Sequence, residues 1–298
     1  MGRITELRNI KDYNDELGIA TRHPLVHIVN MSDLKCIKHG VKQFGFYCIF
    51  LKELDCGTFL YGRSKYDYQE GTLLFIGPGQ TAGIDDDEVA YNPKGWILMF
   101  HPDLLLGSPL LHRMKDFSFF SYSSNEALHL SDKEKDIIVA IFQNIQEELA
   151  HTNDKHTQQI ILSYIEVFLN LCVRFYERQF ATREVANKDV LSRFKVIIND
   201  YFTSNKPQTI GLPTVSWCAS QVHLSPNYFG DLVKKETGKT AQEYIQRHIV
   251  EQAKDMLFGT DHTVSEIAYL LGFQYPNHLS RMFKKVVGKS PKEFRSAI

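Results

Sequence analysis

Residues 226–240 read PNYFGDLVKKETGKT, and residues 276–290 read PNHLSRMFKKVVGKS. At an offset of 50 they share Pro226/Pro276, Asn227/Asn277, Lys234/Lys284, Lys235/Lys285, Gly238/Gly288 and Lys239/Lys289. Phe229/Leu279, Leu232/Met282, Val233/Phe283 and Thr240/Ser290 keep their character. Self-similarity at such a period marks a duplicated supersecondary unit. In the first copy Phe229, Leu232 and Val233 fall at i, i+3, i+4, so that face turns to a core. Asn227, Asp231, Lys234 and Lys235 fall on the outer side. Pro226 suits a first helical position after Ser225 as cap, and Gly238 suits a stop. The second copy turns Leu279, Met282, Phe283 and Val286 inward and Asn277, Ser280, Arg281 and Lys284 outward.

A short helix is expected just before each copy, over Val215–Gln221 around Ala219 and over Val264–Leu271 around Ala268. The turns Val222-His223-Leu224-Ser225 and Gly272-Phe273-Gln274-Tyr275 join each pair. A helix, a tight turn and a helix with a polar outer face rich in Asn, Arg and Lys make the helix-turn-helix pattern. Between the copies, Tyr244, Ile245, Ile249, Ala253 and Leu257 mark a third helix over Ala241–Phe258. At 1.5 Å per residue that strut is about 27 Å long. It can hold two recognition helices about one DNA turn, roughly 34 Å, apart. Leu191, Phe194, Ile197, Ile198 and Tyr201 space a further amphipathic helix upstream.

Charge divides the same way. Residues 193–298 carry 14 Lys and Arg against 9 Asp and Glu, a net +5, while the remainder carries −6. A basic third on an acidic body points to a polyanion partner for that third. The chain has 298 residues, 43% hydrophobic and 23% charged, which suits about two globular domains. No apolar run approaches the roughly 20 residues of a membrane span, and the first residues lack a secretory pattern. Five cysteines without a CxxC pair disfavour a disulfide framework or a zinc knuckle, and a reducing cytosol fits.

The N-terminal region has a different grammar. Phe46–Leu51, Thr58–Tyr61, Gly71–Ile76 and Gly95–Phe100 read as strands, and Gly77-Pro78-Gly79 as a turn. Closely spaced strands of this kind suggest a β-barrel or sandwich. Ser131 with Glu134 reads as a capping box. Ile137, Ile138, Ile141, Ile145 and Leu149 follow at helical spacing, and Ile160, Ile161, Tyr164, Val167, Phe168, Leu171 and Phe175 form a second stripe. Residues 181–189 are polar and unpatterned, a linker between residues 1–180 and 190–298. The fold class expected is α+β: a β-barrel with two helices, then an all-α domain with helix-turn-helix units at about 214–236 and 263–287.

Ser225-Pro226-Asn227-Tyr228-Phe229, Lys234-Lys235-Glu236-Thr237-Gly238, Ile267–Phe273 and the block Phe283–Arg295 resemble the AraC/XylS family of bacterial transcription regulators. The resemblance covers about 100 residues. It implies two helix-turn-helix units on a linker helix, each inserting into the major groove of double-stranded DNA. Base contacts are implied at Asn227, Gly230, Asp231, Pro276, Asn277, Ser280 and Arg281. Gly230 has no side chain to read a base, and Asp231 can accept from cytosine N4 but repels phosphate. The second unit, and Arg281 above all, is therefore expected to set specificity. Lys234, Lys235, Lys284 and Lys285 are expected on phosphates.

The resemblance continues in Glu70–Phe75, Pro78-Gly79-Gln80 and Gly95–Asp103, similar to the arabinose-type sensor domain, a cupin-like barrel with two following helices. It implies a small-molecule effector and a homodimer formed through the helices, here Tyr164, Phe168, Leu171 and Phe175, with RNA polymerase as a further candidate partner. Phe44, Phe46, Tyr61, Tyr66, Tyr68 and Trp96 are aromatic candidates for a pocket, Tyr61 and Trp96 foremost, with barrel core or surface as the alternative place for each. The alternative is a cupin-barrel enzyme with an accessory basic helical tail. Metal-dependent cupin chemistry needs clustered histidines, and no His-x-His occurs; His23 and His27 straddle Pro24, and His39, His101 and His112 are scattered. No cofactor, metal or catalytic residue is expected.

Overall fold

A computed structural model describes residues 4–296 apart from 36, 39, 54–57, 62–63, 68–70, 84–89, 93, 124–125 and 152–153; for 37–38, 58–61, 64–67, 90–91 and 184–186 it describes the backbone alone. The chain forms two compact units, residues 1–182 and 183–298.

The first unit runs β1 (Thr5–Leu7), α1 (Ile10–Leu17), β2 (Val26–Asn30), β3 (Ile37–Lys38), β4 (Val41–Phe44), β5 (Tyr47–Lys52), β6 (Thr58–Tyr61), β7 (Ser64–Asp67), β8 (Thr72–Ile76), β9 (Thr81–Gly83), β10 (Ala90–Tyr91), β11 (Gly95–Phe100), α2 (Pro109–Arg113), β12 (Leu128–His129), α3 (Asp132–Ala150) and α4 (Thr157–Thr182). The strands form a β1-β4-β9-β6-β7 sheet, a β12-β8-β5-β11-β2 sheet and a β10-β3 pair. Among the described residues no ladder joins them into a closed barrel. The mixed α+β layout stands, with sheets first and a helical region after.

Register explains why the long strands read as unbroken apolar runs. Val29, Ile97, Phe50 and Leu74 pair across β2, β11, β5 and β8. Their face shares a buried cluster with Leu7, Phe44 and Ala82 of the other sheet. The next row, Ile28, Leu98, Ile49 and Phe75, faces the other way. There Phe75 meets Phe168 of α4, and Trp96 meets Phe142 of α3 at 6.5 Å between ring centres. With both faces covered, alternation disappears. Gly95 sits at φ +118°, where a Cβ would strike the Leu51 carbonyl oxygen, so only glycine lets β11 pass β5 so closely.

Ser131 caps α3, and its capping box with Glu134 is complete. Along α4, Ile161, Ile165, Phe168, Leu169, Cys172, Phe175 and Tyr176 are buried. By length and mean composition alone α4 is apolar enough to cross a membrane, but Glu166, Asn170 and Arg174 interrupt it, and its apolar side is built into this core. Phe168 and Phe175, expected at a dimer surface, belong to that core, because helical spacing marks an apolar face without saying what covers it. Trp96, a candidate for either a pocket or the core, is buried on the helix-facing side of its sheet against Phe142. Phe44 and Phe46 are in the inter-sheet core; the side chains of Tyr61, Tyr66 and Tyr68 lie outside the described residues. Cys48, Cys172 and Cys218 are free and buried, and burial pushes the Cys218 thiol up to about 12.

The second unit comprises α5 (Glu184–Thr203), α6 (Lys206–Ile210), α7 (Val215–Gln221), α8 (Pro226–Thr237), α9 (Ala241–Gly259), α10 (Val264–Leu270), α11 (Pro276–Val287) and α12 (Pro291–Arg295). The segment expected as a linker is helical on both sides of Arg183: α4 reaches Thr182 and α5 takes up Glu184 onward. One cluster unites Phe194 and Ile198 of α5, Phe229 and Val233 of α8, Ile245, Ile249, Ala253 and Leu257 of α9, and Leu279 and Phe283 of α11. The middle helix thus shares its core with both copies of the repeat.

Candidate nucleic-acid interface

The two copies are built by the same local chemistry. Thr214 and Thr263 cap α7 and α10, each accepting from the N–H three residues on. Each short helix ends on a left-handed residue, His223 at φ +59° and Gly272 at φ +91°. The following N–H then reaches back five residues, Leu224 to the Ala219 carbonyl at 3.0 Å and Phe273 to the Ala268 carbonyl at 2.9 Å. A Cβ at Gly272 would lie 2.7 Å from the Pro207 carbonyl oxygen, so the second turn needs glycine for space as well as angle. Gly238 and Gly288, also left-handed, stop the recognition helices by donating to Lys234 and Lys284.

The repeat continues past the quoted stretches. Thr240 and Ser290 carry capping boxes with Glu243 and Glu293, so α12 is a shortened counterpart of α9. In each box the backbone N–H of the capping residue holds the glutamate below the usual carboxylate range, and Lys285 and Lys284 add to the effect at Glu243 and Glu293. Arg295 donates to the carbonyls of Leu257 and Thr260, at 3.1 and 3.4 Å, and so secures the end of α9.

The offset is 50 in the recognition helices but 49 upstream, as Thr214/Thr263, Ala219/Ala268 and His223/Gly272 show. The extra residue lies in the second turn. Its effect is visible at the helix starts: Ser225 accepts from the Tyr228 N–H at 3.3 Å, whereas Tyr275, at the matching place, makes no side-chain cap. Tyr275 is left 61% exposed, in edge contact with the His278 ring. Sequence reading missed this exposed pair; the one-residue slip in the repeat was the signal.

Tyr228, Phe229, Leu232 and Val233 are buried on α8, and Leu279 and Phe283 on α11. Asn227, Lys234 and Lys235 are exposed, as are Asn277, Arg281, Lys284 and Lys285, while Asp231 and Ser280 are half-buried. The Ser280 hydroxyl donates to the Pro276 carbonyl at 3.3 Å, so it is turned to its own helix. Among the described residues the four lysines and Arg281 make no ion pair. Each recognition helix therefore offers an exposed Asn at its start and a Lys-Lys pair in its last turn. The pattern combines a side chain of the kind that reads base edges with two cations of the kind that neutralise phosphates.

This is the architecture of a DNA-binding protein with two helix-turn-helix units on one chain. Residues 218–297 match the helix-turn-helix domain family model. The HTH-type transcriptional activator RhaS of Yersinia pestis (strain Pestoides F) is 24% identical over 264 residues, covering 85% of this chain and 88% of that protein. The uncharacterized transcriptional regulatory protein YesN of Bacillus subtilis (strain 168) is 41% identical over 91 residues, 29% of this chain and 25% of that one. Among solved structures, the C-terminal domain of the two-component response regulator yesN from Fusobacterium nucleatum is 28% identical, covers 36% of this chain and 98% of that one, and has a TM-score of 0.32. The matched helix-turn-helix domain and the regulator that aligns along most of the chain support a DNA-binding transcription regulator of the AraC/XylS type.

Proposed function

We propose that α8 and α11 enter successive major-groove segments and that residues 1–182 form a cupin-like sensor of a small molecule. The observation that carries the DNA reading is the matched pair of turns presenting unpaired cations at the same places. Asn227, Asp231, Asn277, Ser280 and Arg281 read bases, Ser280 after turning away from Pro276. Lys234, Lys235, Lys284 and Lys285 neutralise phosphates. The regulator works in the cytoplasm as a homodimer, with RNA polymerase as its partner at the promoter. The dimer face is the exposed and half-exposed side of α4, made by Ile160, Tyr164, Val167 and Leu171. Their 4-3-4 spacing is that of a two-helix seam.

Fluorescence anisotropy with duplex DNA from the chain's own upstream region tests the reading. Replacing one lysine by Ala lowers affinity similarly on all sequences and flattens the salt dependence by about one unit. Arg281→Ala instead costs about 1–3 kcal/mol at one base pair. A uniform loss for Arg281→Ala moves it to the phosphate class; an unchanged salt slope for every lysine variant refutes the phosphate contacts.

A further inference from the structure

A cleft lies at the free edge of β2. That strand bonds β11 on one side only. The cleft measures about 200 Å³ and is walled by Ile19, Ala20 and Arg22, by His27–Asn30 of β2, by Asp33 and Leu34, and by the end of α3 at Gln146 and Leu149. This is roughly the volume of six or seven waters.

Its chemistry is set by a buried relay. Asn14 is fully buried, and its amide donates to the Thr21 hydroxyl at 2.9 Å. The Asn14 carbonyl oxygen therefore faces the His27 Nδ1, at 2.8 Å. An amide oxygen only accepts, so Nδ1 carries the proton. Burial, and then the charge of Arg22, hold the ring below its ordinary pKa, so it is neutral. In a neutral imidazole with Nδ1–H, Nε2 is an acceptor. Among the described residues it has no protein partner, and His27 lines the cleft.

Arg22 stands exposed at the same rim and makes no ion pair among the described residues. Asp33 also lines the cleft and opposes a second negative charge on an occupant. Ile19, Leu34 and Leu149 supply an apolar wall. An occupant that satisfies all three has one carboxylate, one hydroxyl beside it and an apolar body. We propose that this cleft binds a small 2-hydroxy monocarboxylate, with its carboxylate on Arg22 and its hydroxyl donating to His27 Nε2. The regulatory meaning of that binding rests on the sensor reading above; the binding itself does not.

Isothermal titration calorimetry on the full chain tests it, with mandelate and 2-hydroxyhexanoate as probes. Phenylacetate and hexanoate lack the hydroxyl, and mandelamide lacks the charge. At least one hydroxy acid binds, and its deoxy and amide analogues bind at least about tenfold more weakly. Arg22→Ala, a rim change that leaves the core intact, weakens the hydroxy acid by about tenfold or more and erases its advantage over the amide. Asp33→Asn tightens it. No heat with either hydroxy acid at millimolar concentration, equal binding of the deoxy analogue, or an unchanged affinity in Arg22→Ala overturns the site. Binding that is lost in Arg22→Ala but never alters DNA affinity keeps the site and refutes the sensor reading.

Discussion

At Gly230 a residue's absence of side chain is the puzzle. It sits inside α8 with nothing within 4 Å of where a Cβ would stand, and its φ is not one that requires glycine. In a helix interior glycine costs about 1 kcal/mol relative to alanine. Packing does not repay this; under the docking proposed above, close approach of the backbone to DNA does. Gly230→Ala is expected to raise stability by about 0.5–1 kcal/mol in a urea melt while lowering DNA affinity. Both rising together would show that α8 keeps its distance from the groove. His248 on α9 poses a different question. Its Nε2 is buried without a partner, its ring lies 5.5 Å from that of Phe202, and burial lowers its pKa from 6.5. A lowered folded value means the unfolded chain binds the proton more readily. Stability is therefore full above about pH 6.5 and falls as pH drops through the window below it. His248→Phe is expected to shrink the loss of Tm between about pH 7.5 and about pH 5.5. Comparing variant with wild type isolates His248 from His23 and His27, which burial lowers too. An unchanged pH dependence would rule His248 out as a source of it.

Helix α4 shows at the scale of an element what the sequence left open. The apolar stripe expected there, from Ile160 to Phe175, mixes two faces. Phe168 is fully buried against Phe142 and Phe75, whereas Val167 is 51% exposed. Val167→Glu is expected to leave thermal unfolding of the monomer nearly unchanged and to dissociate the proposed dimer in sedimentation at tens of micromolar. Phe168→Glu, by burying a charge, is expected to unfold residues 1–182. A fully dimeric Val167→Glu would place the interface elsewhere. Helix existence, caps and stops were legible because Ser131, Ser225, Gly238 and Gly288 act locally. Which face is covered was not, because Trp96 and Ile97 are equally apolar and only packing against α3 or the other sheet tells them apart. The recognition helices were legible for the opposite reason: their outer faces are polar, so periodicity fixes them without a partner. The relay from Thr21 to His27 was invisible, since it joins α1, a loop and β2 through hydrogen bonds that no spacing announces.

The whole molecule divides at Arg183, and each unit has its own hydrophobic cluster. Because α5 sends Phe194 and Ile198 into the C-terminal cluster, the DNA-binding unit needs that helix. Residues 183–298 are expected to fold and bind DNA alone, and residues 204–298 to fail to fold, having lost those two side chains and Tyr201. The isolated unit carries four of the lysines proposed on phosphates, while a dimeric full chain on paired sites carries eight. Counterion release makes log affinity fall with log salt in proportion to the phosphates neutralised. The salt slope of the full chain should therefore be about twice that of residues 183–298. Linking two binding units also raises overall affinity by about 10²–10⁴ without a new contact, so both effects should appear together. Base preference should be shared, because the same side chains read each site. A ligand bound by residues 1–182 should alter DNA affinity in the full chain and leave residues 183–298 indifferent, since coupling needs both sites in one molecule. Equal salt slopes for fragment and full chain, measured by anisotropy on the same duplex, would mean that one chain occupies the site and that the exposed seam of α4 has another use.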